Sequence, residues 1–430
     1  MKILKIKIDG YRNVFNTIIE LNGITALVAL NNYGKSNVLN GIDFAVDFIK
    51  LSSKTKNRMM RHIGSVPINK MTQNNNFTFG VDYISNLEGA QVFVSYEFSF
   101  EWIKTKNDGC RLMSESLKIK ESGNNKFSKL IDRTINKSCF KSSKTGRADT
   151  NIEVGFNDLI INKLSDNEVY YSNIVNEINN LNFDFNSYLD VSNMFKTITI
   201  NDPEDEDIFE LDKDEGLNIC NIVYQLKEKH IDKYNLLINS FKSLVPSVET
   251  IEPVCTDFDA NFANAIEKDQ LPFKIPEKMY DIKIMEKYNN QITSMRMMST
   301  GSKRIFVLLT SAILAEINKT SLITFEELEN SIHPYLFQKL IIILTELVGD
   351  CKILISSHSP YLIQYLSLDK VYIGIPSSEG TANFKRVKKS MQKTISKNAS
   401  EQETSIGDYI FDLLIDSYKD NCFLCSFMEG

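Results

Sequence analysis

Several short stretches alternate between polar and apolar residues, and this two-residue period predicts half-buried β-strands. Lys and Ile alternate over residues 2–8, and residues 91–100 have the sequence Gln-Val-Phe-Val-Ser-Tyr-Glu-Phe-Ser-Phe. Residues 17–21 and 77–83 continue the pattern. We expect these segments to pair as an antiparallel sheet, because such a sheet can pack one face on a core while the other meets water.

Other stretches are mainly apolar and do not alternate, which is typical of strands buried on both faces of a parallel sheet. Residues 24–30, 321–325 and 352–356 are of this kind, and residues 369–375 add a last strand. Apolar residues at helical spacing predict helices over residues 38–49, 217–245, 305–317, 335–348 and 405–418. Strands and helices in this order predict an α/β fold, with a parallel or mixed core sheet beside the antiparallel one.

The junction between residues 24–30 and the first helix has the composition of a phosphate-binding loop. Backbone N–H groups of such a loop bind phosphates, while Lys35 neutralises β/γ charge and the Ser36 hydroxyl binds Mg²⁺. One position departs from G-x-x-x-x-G-K-[ST], since Ala29 replaces the first glycine. An alanine there costs free energy if the backbone needs a positive φ. The predicted loop residues are Asn31, Asn32, Tyr33, Gly34, Lys35, Ser36 and Asn37.

Two adjacent carboxylates, Glu326 and Glu327, end the apolar run of residues 321–325. Ligands bind at the strand ends of open α/β sheets, and successive strand residues point to opposite sides. One carboxylate would then face a metal ion and the other a water molecule. The alternative is a solvated acidic turn after a buried strand.

Two further turns suit an anion. Ser299 and Gly301 precede the helix predicted over residues 305–317, where free N–H groups and the helix dipole favour negative charge. An ordinary Ser/Gly helix cap is the alternative. His358 follows the strand at 352–356, where it can hydrogen-bond a γ-phosphate, although a lone histidine is more often structural.

Composition limits the class of protein. The 430 residues are 43% hydrophobic and 24% charged with net charge −6, which is typical of a soluble globular protein. No apolar run approaches the ~18 residues of a membrane span, and the N-terminus resembles a strand rather than a signal peptide. Seven scattered cysteines indicate a reduced, cytoplasmic setting. Basic residues at 54–70 and 385–389 form either a local nucleic-acid patch or a solvated surface.

The middle of the chain differs from its ends. Residues 103–215 are rich in Asn, Lys and Ser, have no sustained heptads, and contain the acidic stretch 202–207. This composition predicts an inserted lobe of mixed, mainly helical structure rather than a long coiled coil. The predicted division is an N-terminal part at 1–102, the insert at 103–229 and a C-terminal part at 230–430.

In this order the motifs resemble those of ABC-type ATPase heads, within the branch of recombination-protein, chromosome-maintenance and OLD (overcoming-lysogenization-defect) ATPases. Asn31 and Asn37 are similar to that branch's Gly-x-Asn-x-x-Gly-Lys-Ser-Asn loop. Residues 326–334 resemble its Asp/Glu-Glu-Pro-Glu-x-x-Leu-His-Pro element, with Leu328 in place of proline. Residues 357–360 resemble its Ser-His-Ser-Pro switch.

The resemblance implies ATP and Mg²⁺ as ligands and assigns roles to single residues. Glu326 would hold Mg²⁺, and Glu327 would polarise the attacking water. Ser299 and Gly301 would complete the site of a partner subunit, so that two heads of a homodimer or higher homo-oligomer enclose ATP.

Two further residues take roles from the same resemblance. Arg12 would approach the phosphates, and Gln73 would sense the metal.

The spacing of the motifs excludes two related classes of protein. Lys35 and Ser299 are too far apart in sequence for a transporter subunit. Too few residues follow His358 for the Toprim nuclease domain of many OLD-type proteins, so we expect no cleavage of nucleic acid by this chain.

We therefore expect a cytoplasmic, oligomeric ATPase that serves as sensor and scaffold of a bacterial anti-phage defence system. It would respond to a phage-derived trigger and control a separately encoded effector, a Toprim or HNH nuclease, without binding a membrane. One alternative is a DNA-repair or chromosome-maintenance ATPase that binds DNA. A second is a nucleotide-gated scaffold with little turnover.

Overall fold

The computed structural model describes residues 1–61, 69–72, 74–103, 111–121, 126–164, 169–186, 191, 194–195, 218–257, 278–375, 379–416 and 423–429. Contacts divide the chain into two compact units. The first comprises Met1–Ser187, Ser321–Leu328 and Asp350–Gly430, and the second comprises Tyr188–Thr320 and Glu329–Gly349. These limits differ from the predicted division at residues 102 and 229.

Strands and helices are numbered in chain order over the described residues. The strands are β1 (Lys2–Asp9), β2 (Thr17–Glu20), β3 (Ile24–Val28), β4 (Phe77–Leu87), β5 (Ala90–Glu101), β6 (Arg111–Glu121), β7 (Ser128–Thr134), β8 (Lys137–Phe140), β9 (Thr150–Asn151), β10 (Phe183–Asn186), β11 (Val248–Asp257), β12 (Lys278–Glu286), β13 (Thr293–Ser294), β14 (Leu322–Glu326), β15 (Lys352–Ser357), β16 (Val371–Gly374) and β17 (Phe384–Arg386). The helices are α1 (Lys35–Lys50), α2 (Ser53–Met59), α3 (Ile160–Leu164), α4 (Ser172–Asn179), α5 (Ile219–Lys229), α6 (Ile231–Leu244), α7 (Thr300–Ile317), α8 (Pro334–Leu347), α9 (Pro360–Tyr365), α10 (Lys389–Glu401), α11 (Ile406–Asp416) and α12 (Phe423–Phe427).

A mainly parallel sheet forms the centre of the first unit. Within the described residues its strand order is β10-β14-β15-β3-β16-β17, and all neighbours are parallel except β16 and β17. Every residue of β3 and β15 is buried, as the continuous apolar runs predict. The predicted α/β class with a parallel core sheet is therefore confirmed.

An antiparallel sheet in the same unit has the order β2-β1-β4-β5-β6-β7-β8-β9 over the described ranges. The sequence predicts a mixed, mainly helical insert over residues 103–229, whereas β6 to β9 extend this sheet by four strands. In β6 the apolar positions alternate with charged residues, and Leu117 and Ile119 are buried on one face. This two-residue period was obscured by the many Lys and Ser residues between them.

Helix α1 packs on both sheets of the first unit, against β1 and β15. Its apolar face enters a cluster of aromatic rings. Phe48 stacks on Phe98 and Phe100 with ring centroids 5.2 and 5.0 Å apart, and Phe77 lies 4.9 Å from Phe100. Aromatic rings bury much apolar surface, so these contacts anchor the C-terminal half of the helix that follows the phosphate-binding loop.

The second unit contains helices α5 to α8 and the antiparallel order β11-β12-β13. The helix predicted over residues 217–245 is divided at His230, which ends α5 and precedes α6. Helix α7 is buried over most of its length.

Two properties concern the whole described chain. No helix in its described ranges is long and apolar enough to cross a membrane. Cys139, Cys220, Cys255 and Cys351 are free thiols.

Candidate functional site

The phosphate-binding loop follows β3 and turns into α1 at Gly34, whose φ is 110°. Glycine adopts such a left-handed backbone without steric cost. Asn32 has φ 59°, a conformation that asparagine tolerates better than most residues. Ala29 is not among the residues with positive φ, so the cost considered for alanine at this position is not incurred.

Lys35, the first residue of α1, holds its ammonium group inside the loop. Nζ donates to the carbonyl oxygens of Ala29, at 2.9 Å, and Leu30, at 3.0 Å. The side chain is only 9% exposed. A positive charge is therefore fixed within the turn whose N–H groups would face phosphate oxygens.

Tyr33 contributes to the loop through its backbone. Its ring is buried, packs edge-on against Phe384 with centroids 5.9 Å apart, and covers Gly374. The prediction that Tyr33 binds nucleotide is thus restricted to its main-chain atoms. Asn31, Asn32 and Ser36 are exposed.

Arg12 is attached to the first turn of α1. Its Nη1 donates to Asn37 Oδ1 at 3.0 Å, and the guanidinium lies 5.6 Å from the centroid of the Tyr11 ring. Arg12 therefore lies beside the first turn of α1.

The predicted catalytic groups end three neighbouring strands. In the parallel register Glu326 of β14 pairs with Ser356 of β15, and Ser357 pairs with Val28 of β3. Neighbouring strands lie about 4.8 Å apart, so Glu326 ends roughly 10 Å from the phosphate-binding loop. Glu326, His358 and the loop thus lie at the same carboxyl-terminal edge of the sheet, where the three strands end.

Glu327 lies just beyond β14, where its backbone has φ 49° and its N–H donates to Ser356 O at 2.8 Å. Its Oε1 lies 3.6 Å from Nδ1 of His358. Both side chains are partly exposed, by 36% and 39%. The pair can therefore reach a group that binds at this edge of the sheet.

The residues available for a metal ion fit Mg²⁺ bound together with a nucleotide. No group of three or more His, Cys, Asp or Glu side chains in the described ranges could hold a metal alone. Mg²⁺ commonly takes one or two protein oxygens, with phosphates and waters completing its octahedron. The Ser36 hydroxyl and the Glu326 carboxylate are the two predicted ligands, and Gln73 lies outside the described residues.

Ser299 and Gly301 lie in the second unit. Ser299 caps α7, since its Oγ accepts from Ser302 N at 3.2 Å. A Cβ on Gly301 would lie 2.5 Å from the carbonyl oxygen of Ser331. The helix-cap alternative is therefore realised in the geometry, and Gly301 has a steric reason to be glycine as well as the predicted anion contact.

Part of the candidate nucleic-acid patch is used within the fold. Lys56 is 2% exposed and donates to Asn162. Arg386 pairs with Glu20 at 2.8 Å and Glu429 at 3.1 Å. Both basic stretches therefore lose one charge that the DNA-binding alternative requires.

A buried strand, a phosphate-binding loop that leads into a helix, and a carboxylate at the end of another strand of the same sheet define a P-loop protein of the α/β class. The sequence model of the family described as "AAA domain, putative AbiEii toxin, Type IV TA system" matches residues 24–364, and the chain belongs to this family. No curated protein matches it in sequence.

Two solved structures are similar to this chain in three dimensions. The SMC head bound to the C-winged helix domain of ScpA has 11% identity and a TM-score of 0.46, covering 92% of this chain and all of that one. The SMC head domain from Thermotoga maritima has 10% identity and a TM-score of 0.43, covering 90% of this chain and all of that one.

Proposed function

We propose that this chain is an ATPase whose site is completed by a second copy of the chain. The proposal rests on one observation: Lys35, Glu326, Glu327 and His358 lie together where the parallel strands of the central sheet end. A cation, a metal ligand and a base candidate are the groups that phosphoryl transfer to water requires. ATP would bind along the loop at residues 29–37, with Arg12 beside its phosphates.

Each residue has a distinct part in the proposed reaction. Glu327 would accept a hydrogen bond from water and orient it in line with the γ-phosphate, while His358 would donate to a γ-phosphate oxygen. Lys35 would exchange its two carbonyl contacts for β- and γ-phosphate oxygens. Mg²⁺, held by Ser36 and Glu326, would neutralise charge on the phosphates when bound.

Ser299 and Gly301 would act on the site of the partner copy. Ser299 is exposed and caps α7, so the helix N-terminus behind it favours an anion. ATP enclosed between two copies would then link nucleotide state to assembly. Hydrolysis removes the γ-phosphate contacts and so favours the separated state.

We further propose a biological role in the cytoplasm, as sensor and scaffold of an anti-phage defence system. The family description names a putative toxin of a toxin–antitoxin system. This supports a role in defence rather than in routine DNA maintenance. The effector would be a separately encoded Toprim or HNH nuclease, and a phage-derived molecule would be the trigger.

One observation favours a second candidate, a nucleotide-gated scaffold with little turnover. Glu327 has a left-handed backbone, and Leu328 replaces the proline of the related motif. A non-glycine residue in this conformation carries strain, and leucine lacks the fixed φ with which proline would restrict the turn after Glu327. The DNA-repair alternative has less support, because Lys56 and Arg386 are engaged within the fold.

ATP turnover of the wild type and of Glu327→Gln, with particle mass recorded in the same samples, tests the proposal. We expect turnover to fall by about 10²–10⁴ in the variant and ATP-loaded oligomers to accumulate. Equal turnover in both proteins would contradict the role of Glu327. Binding and assembly without turnover in either protein would establish the gated scaffold.

A further inference from the structure

Asn13, in the turn between β1 and β2, contacts the phosphate-binding loop from outside. Its Nδ2 donates to Gly380 O at 3.1 Å and, more weakly, to Tyr33 O at 3.4 Å. Its Oδ1 accepts from Asn37 Nδ2 at 2.8 Å. A Cβ on Gly34 would lie only 2.8 Å from that Oδ1, so the amide packs directly on the glycine that precedes α1.

The same amide is linked to Arg12 through Asn37. Asn37 gives its Nδ2 to Asn13 and accepts from Arg12 Nη1 at its Oδ1. If the Asn37 amide were rotated by half a turn, its oxygen would face the Asn13 oxygen and its nitrogen would face the Arg12 guanidinium. Asn13 and Arg12 therefore fix the orientation of the Asn37 amide. Arg12 itself has φ 52°, and its carbonyl accepts from Asn69 N at 3.1 Å and Thr72 Oγ1 at 2.7 Å.

The backbone around Asn13 is held independently of its side chain. Asn13 O accepts from Ala382 N at 2.7 Å, and Phe15 N donates to Ala382 O at 2.9 Å. Val14 forms a bridge with Ala382 as well. Removing the Asn13 amide should therefore leave the turn attached to residues 379–384, so the variant is expected to fold.

We infer that Asn13 is a positioning residue of the nucleotide site, which fixes the Tyr33 carbonyl, the first turn of α1 and, through Asn37, the Arg12 guanidinium. The inference rests on the proposed ATP site. Asn13 touches no substrate in this arrangement. It acts by holding the groups that do, so it should govern ATP affinity rather than global stability.

Asn69 supplies a matched control. Its Nδ2 donates to the same carbonyl, Gly380 O, at 3.3 Å and to Glu379 O at 3.2 Å. Neither of these two bonds reaches the phosphate-binding loop or α1. If Asn13 only secures residues 379–382, Asn69→Ala and Asn13→Ala should have the same effect.

The experiment measures the Kd of ATP and the Tm without nucleotide for full-length wild type, Asn13→Ala, Asn37→Ala, the double variant and Asn69→Ala. We expect Asn13→Ala and Asn37→Ala each to weaken ATP binding about tenfold, as loss of an oriented hydrogen bond does. The double variant should lose little more than either single one, because the two residues act through one link. Asn69→Ala should bind ATP like the wild type.

Three results would overturn the inference. Wild-type affinity in Asn13→Ala would do so, as would equal losses in Asn13→Ala and Asn69→Ala. Independent, multiplying losses in the double variant would contradict the link through Asn37. A wild type that binds no ATP would instead refute the proposed function, and the inference with it.

Discussion

Glu327 and His358 face each other at the ends of two neighbouring parallel strands, with Oε1 and Nδ1 3.6 Å apart. This distance exceeds that of a hydrogen bond, so neither side chain uses the other as its hydrogen-bond partner. The two can act together on a molecule bound at the sheet edge, with the carboxylate accepting and the imidazole donating.

His358→Ala should therefore lower kcat more than it changes KM. We expect kcat to fall about 10- to 100-fold, because one hydrogen bond to the reacting phosphate is lost. Steady-state ATP hydrolysis checks this. His230→Ala is a suitable control, since His230 lies between α5 and α6 in the second unit. Similar losses of kcat in both variants would point to an unspecific effect of histidine removal.

Mixing two inactive variants tests whether the site is shared between copies. Lys35→Ala removes the loop cation and should abolish ATP binding at its own loop, while Ser299→Ala should impair only the partner's site. In an equal mixture of dimers, half are mixed and each has one intact site, so about a quarter of wild-type activity should return. No activity in the mixture would contradict closure by a second copy.

Gly301→Ala tests the steric role of that glycine. The new Cβ would lie 2.5 Å from the Ser331 carbonyl oxygen, and backbone must shift to relieve it. We expect the free energy of unfolding to fall by about 1–3 kcal/mol, as for other overpacked sites. Urea denaturation measures this. Thr300→Ala adds no atoms in the same helical turn and should show no loss of that size.

Ala29→Gly tests whether the replaced loop glycine limits function. Ala29 lacks a positive φ, and its carbonyl rather than its side chain holds Lys35. Glycine should leave the Kd of ATP unchanged and lower the free energy of unfolding by about 0.4–1 kcal/mol, through the entropy of the unfolded chain. Markedly tighter ATP binding would show that the alanine is a defect after all.

The parts of the site that are formed by one continuous stretch of sequence could be predicted from that sequence. Strand β3 with its loop and α1, the carboxylates after β14, and His358 after β15 each combine an apolar run with adjacent polar residues. Strand order alone, which sequence does not give, brings them to one edge.

What escaped prediction depends on contacts between distant residues. Asn13 gains its position from Tyr33, Asn37 and Gly380, and no local pattern marks it. Glu115 shares the buried face of β6 with Leu117 and Ile119, although a carboxylate is a residue type that sequence reasoning expects in water. It is fully buried, because residues 160 and 161 supply N–H groups to it.

Glu115 therefore makes stability depend on pH. Its carboxylate accepts from Ile160 N at 2.6 Å, Ile161 N at 3.0 Å and Tyr96 OH at 3.1 Å, yet burial raises the pKa of Glu115 above its ordinary value of 4.5. The folded protein thus binds this proton more tightly than the unfolded chain does. Its contribution to stability is complete below pH 4.5 and is lost as the pH rises through the raised pKa.

Glu115→Gln, which stays neutral, should lack this loss. The free energy of unfolding of the variant minus that of the wild type should increase with pH above 4.5, by about 1.4 kcal/mol for each unit that separates the folded and unfolded pKa values. Urea denaturation from pH ~4.5 to ~8 measures it. Glu121→Gln removes an exposed carboxylate from the same strand and corrects for the change in net charge. A difference that is constant with pH, or falls as the pH rises, would show that the hydrogen bonds of Glu115 outweigh its burial.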